Sequence, residues 1–253
     1  MAWGKKDAGK GGLFADGSQT LAESDPEFMD LFSAFAYREV VDEPAANHPD
    51  LTDARRSMAI LAALMGCQGA DAFAMMATVA LDSGMTPIQL KEVVYQGCAY
   101  LGFGRALPFL RAANEALHER GVATPLEPQG TVTPENRGEA GERAQCACFG
   151  EHMRGFAEAG PEETRHIHGW LVRNCFGDYY TRGGLSLRER EMITACYLAA
   201  QGGCEPQLVS HLQANRRVGN DRAFMVAVFS QILPYIGYPR TLNALACLDK
   251  AEG

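Results

Sequence analysis

Basic residues are scarce in this chain, and long apolar runs are missing. The 253 residues hold 23 Lys and Arg against 31 Asp and Glu, for a net charge of −8, without an extended basic cluster. Nucleic acids and anionic membranes are therefore not expected as partners. No apolar run approaches the roughly 18 residues that span a bilayer, and the N-terminal MAWGKKDAGKGG lacks the apolar segment of a secretion signal. We expect a cytoplasmic protein.

Cys-x-x-Cys motifs and paired metal-ligand spacings are also missing. The eight cysteines fall mostly inside apolar helical patterns, where a free thiol behaves as a small hydrophobic side chain. Without a secretion signal, we expect reduced thiols, and neither a metal nor another cofactor. The closest pairs, Cys146/Cys148 and His166/His168, lie two residues apart and point to different sides of a helix, which argues against a shared metal.

Strand patterns are nearly absent, whereas apolar residues recur at helical spacing along most of the chain. This periodicity predicts an all-α protein. Thr86-Pro87-Ile88-Gln89, and Ser186 with Glu189, have the form of capping boxes that begin helices. The predicted helices cover about 26–41, 52–65, 71–81, 87–100, 105–120, 136–159, 161–175, 187–201, 205–217, 221–235 and 239–249.

Composition divides the chain into four parts. Residues 1–25 are rich in Gly, Lys, Ser and Asp, which predicts a flexible N-terminal arm. Residues 121–136 hold three prolines and two glycines and read as a linker. The helical segments 26–120 and 137–253 on either side of the linker are the two folded units.

These two units are repeats of one another. At a shift of 135 positions, five residues of the first unit fall on identical residues of the second: Gln231, Tyr235, Gly237, Arg240 and Leu242. At a shift of 134, Leu51 and Met58 fall on Leu185 and Met192. The sequence therefore predicts a duplicated helical unit.

The repeats differ at three positions that carry chemistry. Glu191, Cys204 and His211 of the second repeat are matched by Ser57, Gly69 and Met76 in the first. We therefore expect a degenerate site in the first repeat and any thiol–imidazole–carboxylate site in the second.

Cys204 and His211 stand seven residues apart. If Glu205-Pro206 begins a helix, this spacing is about two turns, so both side chains lie on one face. A thiol at a helix start with an imidazole nearby is typical of a nucleophile and its base. The helix dipole stabilises an anion by only about 0.3–1 kcal/mol, so a cation must help to activate the thiol. The alternative is an inert, half-buried thiol and a histidine bonded to a backbone carbonyl.

The run FGDYYTRGGLSLREREMITACYLAAQGGCEPQLVSH, followed by RVGND and PYIGYPRTLNAL, resembles the carboxymuconolactone decarboxylase family, which shares the alkylhydroperoxidase D-like fold. The resemblance is specific over 175–248 and weaker over 28–117. It implies two tandem helical repeats packed as a pseudo-symmetric pair. It also implies a homo-oligomer with fewer chains than single-repeat members form, and we favour a trimer built as a pseudo-hexamer.

The alkylhydroperoxidase D branch uses a C-x-x-C-x-x-x-H motif, with a relay glutamate on the preceding helix. The resemblance assigns Cys204 to the first cysteine, His211 to the histidine and Glu191 to the glutamate. Gln207 stands where the second cysteine belongs, which argues against a dithiol cycle and leaves a one-cysteine cycle with an external thiol reductant. The decarboxylase branch often carries a carboxylate near this position, and Glu205 is the candidate for it.

Our leading hypothesis is a cofactor-free decarboxylase-type enzyme acting on a small anionic lactone or keto acid. His211 would move protons, and Cys204 with Glu191 or Glu205 would tune it. The candidate substrate contacts, cations among them, are Arg188, Arg190, Gln207, Tyr235 and Arg240. One alternative is a thiol-dependent peroxidase in which Cys204 attacks a peroxide. A second alternative is a non-catalytic oligomeric scaffold or ligand binder.

Overall fold

The computed structural model describes residues 21–253, and all regular structure in that range is helical. The expected arm over 1–25 lies outside the described residues for its first 20 positions. The α-helices are α1 (Leu21–Ser24), α2 (Pro26–Ala34), α3 (Val40–Asp42), α4 (Asp53–Gly66), α5 (Ala70–Asp82), α6 (Pro87–Leu101), α7 (Phe103–Glu119), α8 (Arg137–Phe149), α9 (Arg165–Trp170), α10 (Leu187–Gln201), α11 (Glu205–Arg217), α12 (Arg222–Ile236) and α13 (Tyr238–Glu252). Two π-helices, Phe35–Glu39 and Leu171–Tyr180, and three short 3-10 turns complete the fold. The prediction of an all-α protein is confirmed.

Both capping boxes begin helices as predicted. The Ser186 hydroxyl accepts a hydrogen bond from the Glu189 backbone N–H at 3.3 Å, and the Glu189 carboxylate accepts one from the Ser186 N–H at 2.9 Å. Thr86 and Gln89 make the same reciprocal pair at the start of α6. Each box satisfies two backbone donors that the first helical turn leaves without partners.

The predicted helix over 136–159 is wrong in its second half. Helix α8 ends at Phe149, and the chain continues through two 3-10 turns, Glu151–Met153 and Phe156–Glu158. Gly150 ends the helix with φ = +110°, a backbone conformation that is rare for residues with a side chain. This early end turns the segment back across α8, where it forms one wall of a cavity described below.

The helix bounds confirm the tandem repeat. A shift of 135 places α5 and α6 on α11 and α12 residue for residue, and a shift of 134 places α4 on α10 to within one residue. Helices α4 and α10 pack against each other at the centre of the molecule. Their side chains are buried along almost the whole length of both helices, which makes this pair the main hydrophobic core.

The third long helix of each repeat contacts the other repeat. Helix α6 packs on α4 and α7 of its own repeat and also on α10 and the π-helix Leu171–Tyr180, while α12 of the second repeat packs on α4. The contacts are specific, since the Gln96 amide donates to the Arg190 carbonyl and to Thr194 Oγ1, both at 2.9 Å. As a consequence, the end of α6 lies inside the second repeat. Within residues 21–253, no helix combines the length and apolar content that crossing a bilayer requires.

Candidate active site

A cavity of about 780 Å³ opens between the second repeat and the end of α6. Helices α8, α10 and α11, the π-helix Leu171–Tyr180 and the 3-10 turns after α8 form its walls. The polar and aromatic lining includes Tyr100, Gln145, Phe149, His152, Cys175, Gln201, Cys204, Gln207, His211 and Arg217. The cavity therefore brings together Cys204, Gln207 and His211, three of the residues that the sequence selects.

Glu191 and His211 form a buried dyad beneath this cavity. The Glu191 carboxylate has no exposed surface, and its Oε2 lies 2.8 Å from His211 Nδ1. Asn215 fixes both residues by donating to the Glu191 and His211 backbone carbonyls, at 2.9 and 2.8 Å. Because the carboxylate occupies Nδ1, a neutral His211 ring carries its proton there. Nε2, which has no hydrogen-bond partner in the described part of the chain, is then the nitrogen left for chemistry.

A hydrogen-bond chain continues from the other oxygen of this carboxylate. Tyr180 donates to Glu191 Oε1 at 2.8 Å, and the Tyr100 and Tyr180 hydroxyls lie 2.8 Å apart. The Cys175 thiol donates to the Tyr100 hydroxyl at 3.7 Å. Since Cys175, Tyr100 and His211 all line the cavity, both ends of the chain reach the same space. Tyr100 belongs to α6, so the first repeat contributes a residue to this site.

The groups around the carboxylate keep their protons. Burial, and then the charges of Cys175 and Glu191, hold the pKa of Tyr100 well above its usual value, and burial with Glu191 does the same for Tyr180. Burial raises the pKa of the Cys175 thiol to about 12. Burial and the adjacent Glu191 charge also raise the pKa of Cys148. These residues are therefore hydrogen-bond donors to Glu191 and its network at neutral pH, not thiolates or phenolates.

Cys204 is the residue just before α11, as the sequence predicts. Its thiol does not cap the helix; it donates to the Leu198 carbonyl at 3.5 Å and accepts from the Gln201 amide at 3.4 Å. The residue is half-buried at the cavity wall. The thiol is thus held on the same cavity as the imidazole, while its present hydrogen bonds are to α10.

Aromatic edges hold the His211 ring in place. The Tyr100 and Phe149 rings meet it edge to face, with ring centroids 5.4 and 5.1 Å away. Phe149 reaches this position because α8 packs unusually close to the π-helix Leu171–Tyr180. A Cβ at Gly141 would lie 2.0 Å from the Val172 carbonyl oxygen, so only glycine permits this approach. The π-helix is a widened turn of a kind often found at functional sites.

Two arginines that we expected to contact the substrate lie elsewhere. Arg190 is fully buried, and it donates to Glu92 at 3.0 Å and to Gln96 at 2.8 Å. Arg188 pairs with Asp50 at 2.7 Å and lies over the Phe224 ring. Neither lines the cavity, because both guanidinium groups hold the two repeats together. Neither guanidinium group is therefore placed to contact a molecule in this cavity.

Three further candidates do not line the cavity either. Tyr235 is the repeat counterpart of Tyr100, and its ring packs edge to face on Phe32 of the first repeat, with ring centroids 6.1 Å apart. Arg240 lies beside Gly202 outside the cavity wall. The Glu205 carboxylate accepts the Gly203 N–H at 3.3 Å at the start of α11. The cation that does line the cavity is Arg217, which sequence reasoning missed.

Sequence reasoning also missed Tyr100, Cys175 and Tyr180. The Tyr179-Tyr180 pair lies in the run that carries the family resemblance, and Tyr100 has a repeat counterpart in Tyr235. A signal was therefore present, but the packing of α6 on the second repeat and of α12 on the first decides which tyrosine joins which site. Among residues 21–253, no group of three His, Cys, Asp or Glu side chains converges as a metal site would require.

Comparison with known proteins agrees with this architecture. The model of the carboxymuconolactone decarboxylase family matches two regions, residues 26–115 and 167–250, which correspond to the two repeats. A comparison with curated proteins gave no match. The two matched regions together cover more than half of the chain, and the chain belongs to the carboxymuconolactone decarboxylase family.

Proposed function

We propose that this protein is an enzyme that transfers a proton to or from a small anionic lactone or keto acid, with decarboxylation as the reaction. The observation that carries the proposal is the buried Glu191–His211 dyad, at 2.8 Å, on the wall of a cavity large enough for a small molecule. A carboxylate that orients one imidazole nitrogen and leaves the other for substrate is a recurrent arrangement in general acid–base catalysis.

Decarboxylation fits the charges of the site. When the bond between the carboxyl carbon and its neighbour breaks, carbon dioxide leaves, and the electron pair stays on the substrate as an enolate. His211, which first takes up a proton from water at Nε2, then delivers that proton to the enolate carbon, and Glu191 stabilises the positive charge of the protonated imidazole. Arg217 is the one Lys or Arg side chain that lines the cavity in the described part of the chain, and it forms no ion pair with a described residue. It is the proposed anchor for the substrate anion.

The test of this chemistry is turnover of lactone acids and β-keto acids, measured as released carbon dioxide. Replacing His211 with glutamine should reduce kcat by about 10²–10⁴-fold, the usual contribution of a positioned acid or base. Arg217→Met should mainly raise KM, since it removes binding that is equal in the ground and transition states. Arg216→Met is the matched control, because Arg216 is the adjacent arginine in the sequence and its side chain does not line this cavity. Unchanged kcat in His211→Gln would contradict the proposal.

A second function is favoured by one observation, the half-buried Cys204 thiol on the same cavity wall. In a peroxidase cycle the thiolate would attack the peroxide, break its O–O bond and release an alcohol or water, leaving a sulfenic acid at Cys204. Since Gln207 replaces the resolving cysteine, an external thiol would reduce this sulfenic acid through a mixed disulfide. His211 would take the thiol proton.

Cys204→Ser separates the two functions. Under the decarboxylase proposal, the variant retains turnover of the carboxylic acid substrate, because the imidazole and its carboxylate are untouched. Under the peroxidase alternative, thiol-dependent peroxide consumption disappears, and no sulfenic acid is trapped by dimedone. A protein in which neither Cys204→Ser nor His211→Gln changes any activity or ligand affinity would be the non-catalytic binder.

We also propose a cytoplasmic homo-oligomer, with a trimer as its expected size. Exposed aromatic side chains recur at matching repeat positions, Phe103 at 64% and Tyr238 at 60% exposure, and Leu242 beside Tyr238 is exposed as well. Matching exposed positions support an assembly that uses both repeats in the same way. The eight free thiols suit a reducing compartment. Light scattering on the wild type and on Tyr238→Ser tests the assembly; a monomeric wild type would refute it.

A further inference from the structure

A second cavity, of about 610 Å³, lies in the first repeat, away from the Cys204–His211 site. It opens where α6 and α7 meet the linker segment 121–136. Part of its wall is apolar, from Ile88, Pro125 and Leu126. The polar part of the wall includes Lys91, Glu92 and Arg182.

Lys91 is unusual for a lysine because it is only 8% exposed. Its one hydrogen-bond partner in the described part of the chain is the neutral side-chain oxygen of Asn114, at 2.5 Å, and it forms no ion pair there. Burial lowers its pKa. Buried ammonium groups are normally paired with an anion, because loss of hydration disfavours the isolated charge. A buried cation that faces a cavity and forms a hydrogen bond only to a neutral oxygen can still bind an anionic ligand.

A second cation lines the same cavity. The Lys91 ammonium and the Arg182 guanidinium carbon are each 5.3 Å from the centroid of the Tyr95 ring, and both side chains belong to the cavity wall. Glu92, the adjacent carboxylate, is already bound by Arg182 at 2.8 Å and by Arg190 at 3.0 Å. The negative charge of Glu92 is therefore already paired with two arginine side chains. The exposed Glu127 and His118 are the other titratable groups of the wall.

We propose that this cavity binds a small organic carboxylate, with Lys91 and Arg182 as its cationic contacts. The apolar wall favours an organic body over a bare inorganic anion. Arg182 binds Glu92 through Nε and Nη2, which leaves Nη1, without a hydrogen-bond partner among the described residues, to donate to a ligand carboxylate. The cavity is also much larger than inorganic phosphate requires. The site has no counterpart in the other half of the duplication, since a shift of 135 places Lys91 on Val226 and Glu92 on Ala227. It does not depend on the chemistry proposed for Cys204 and His211.

Benzoate, which joins a carboxylate to an apolar ring, is the probe for this cavity, and benzamide is the matched neutral probe. Calorimetric titration of the full chain should detect benzoate binding but no comparable benzamide binding. Lys91→Met should weaken benzoate binding by about tenfold or more, and Lys91→Arg should restore most of the affinity. Lys250→Met, at an exposed lysine, should leave it unchanged.

The opposite results would overturn the proposal. Equal binding of benzoate and benzamide, no benzoate binding, or full affinity in Lys91→Met would each refute it. Loss of binding in Arg217→Met with no loss in Lys91→Met would assign benzoate to the other cavity, and would refute it too. A crystal of the wild type soaked in benzoate serves if Lys91→Met does not fold. Benzoate within hydrogen-bond distance of the Lys91 ammonium supports the site, and its absence there refutes the site.

Discussion

Replacing Glu191 with glutamine should reverse the hydrogen-bonding pattern at His211 while keeping the shape of the side chain. Tyr180 donates to Oε1 of the carboxylate, so the glutamine carbonyl oxygen is expected at that position. The amide nitrogen then faces His211 Nδ1, where Oε2 lies 2.8 Å away in the wild type. Because an amide nitrogen only donates, Nδ1 must become an acceptor, and the proton of a neutral ring moves to Nε2. With Nε2 already protonated in the neutral ring and the Glu191 charge removed, the imidazole no longer readily takes up at Nε2 the proton that it delivers to the substrate.

The expected loss follows from the role of the imidazole. A positioned general acid or base contributes about 10²–10⁴-fold to the rate, which corresponds to about 2.7–5.4 kcal/mol of transition-state stabilisation. The effect on folding should be smaller, because the charge removed is fully buried and its loss of hydration opposed folding. Activity should therefore fall far more than the free energy of unfolding.

Nitrogen-15 correlation spectra of the His211 ring report the tautomer directly and need no substrate. The wild type should carry its proton on Nδ1 and Glu191→Gln on Nε2, with kcat for decarboxylation falling as above. Glu205→Gln is the matched control, since that carboxylate contacts the Gly203 N–H and does not line the cavity. If Glu191→Gln retains the wild-type tautomer and a kcat within about twofold of wild type, the reasoning about this dyad is wrong.

Three further predictions concern stability and thiol chemistry. Tyr180→Phe removes a hydrogen bond to a buried carboxylate and should cost about 1.5–3 kcal/mol in urea unfolding, whereas Tyr179→Phe, at a half-buried neighbour, should cost much less. Gly141→Ala should lower the free energy of unfolding by about 1–3 kcal/mol through overpacking, because its Cβ would lie 2.0 Å from a backbone oxygen. Gly104→Ala is the control: a Cβ there would meet no atom within 4 Å, so this substitution should be neutral or stabilising. Equal unfolding midpoints for the two variants would contradict this prediction. Folding raises the pKa of the Cys175 thiol from 9.0 to about 12, because the buried thiol holds its proton more tightly than the thiol of the unfolded chain. The contribution of this thiol to the free energy of unfolding is therefore complete below pH 9 and is lost as the pH rises to 12. Cys175→Ala should flatten that alkaline decline in urea midpoints, and an unchanged slope would refute the assignment.

The repeated pattern and the fold class followed from the sequence alone. Helical periodicity, two capping boxes and the 135-residue shift depend only on the order and spacing of residues along the chain, so they can be recognised without the structure. The position of Cys204 at the start of α11, two turns from His211, is likewise a consequence of helical geometry. The residues that distinguish the second repeat from the first were visible for the same reason.

The partners of those residues required the tertiary structure. Arg190 and Glu191 are neighbours in sequence, yet one binds Glu92 of the first repeat and the other binds His211. Which side each faces depends on how α10 packs, and no linear pattern states that. The packing of α6 on the second repeat and of α12 on the first decides that Tyr100, and not Tyr235, joins the Cys204–His211 cavity. The sequence alone determined the helices and the candidate site residues, because both depend on local spacing, whereas long-range packing decided which of these residues meet.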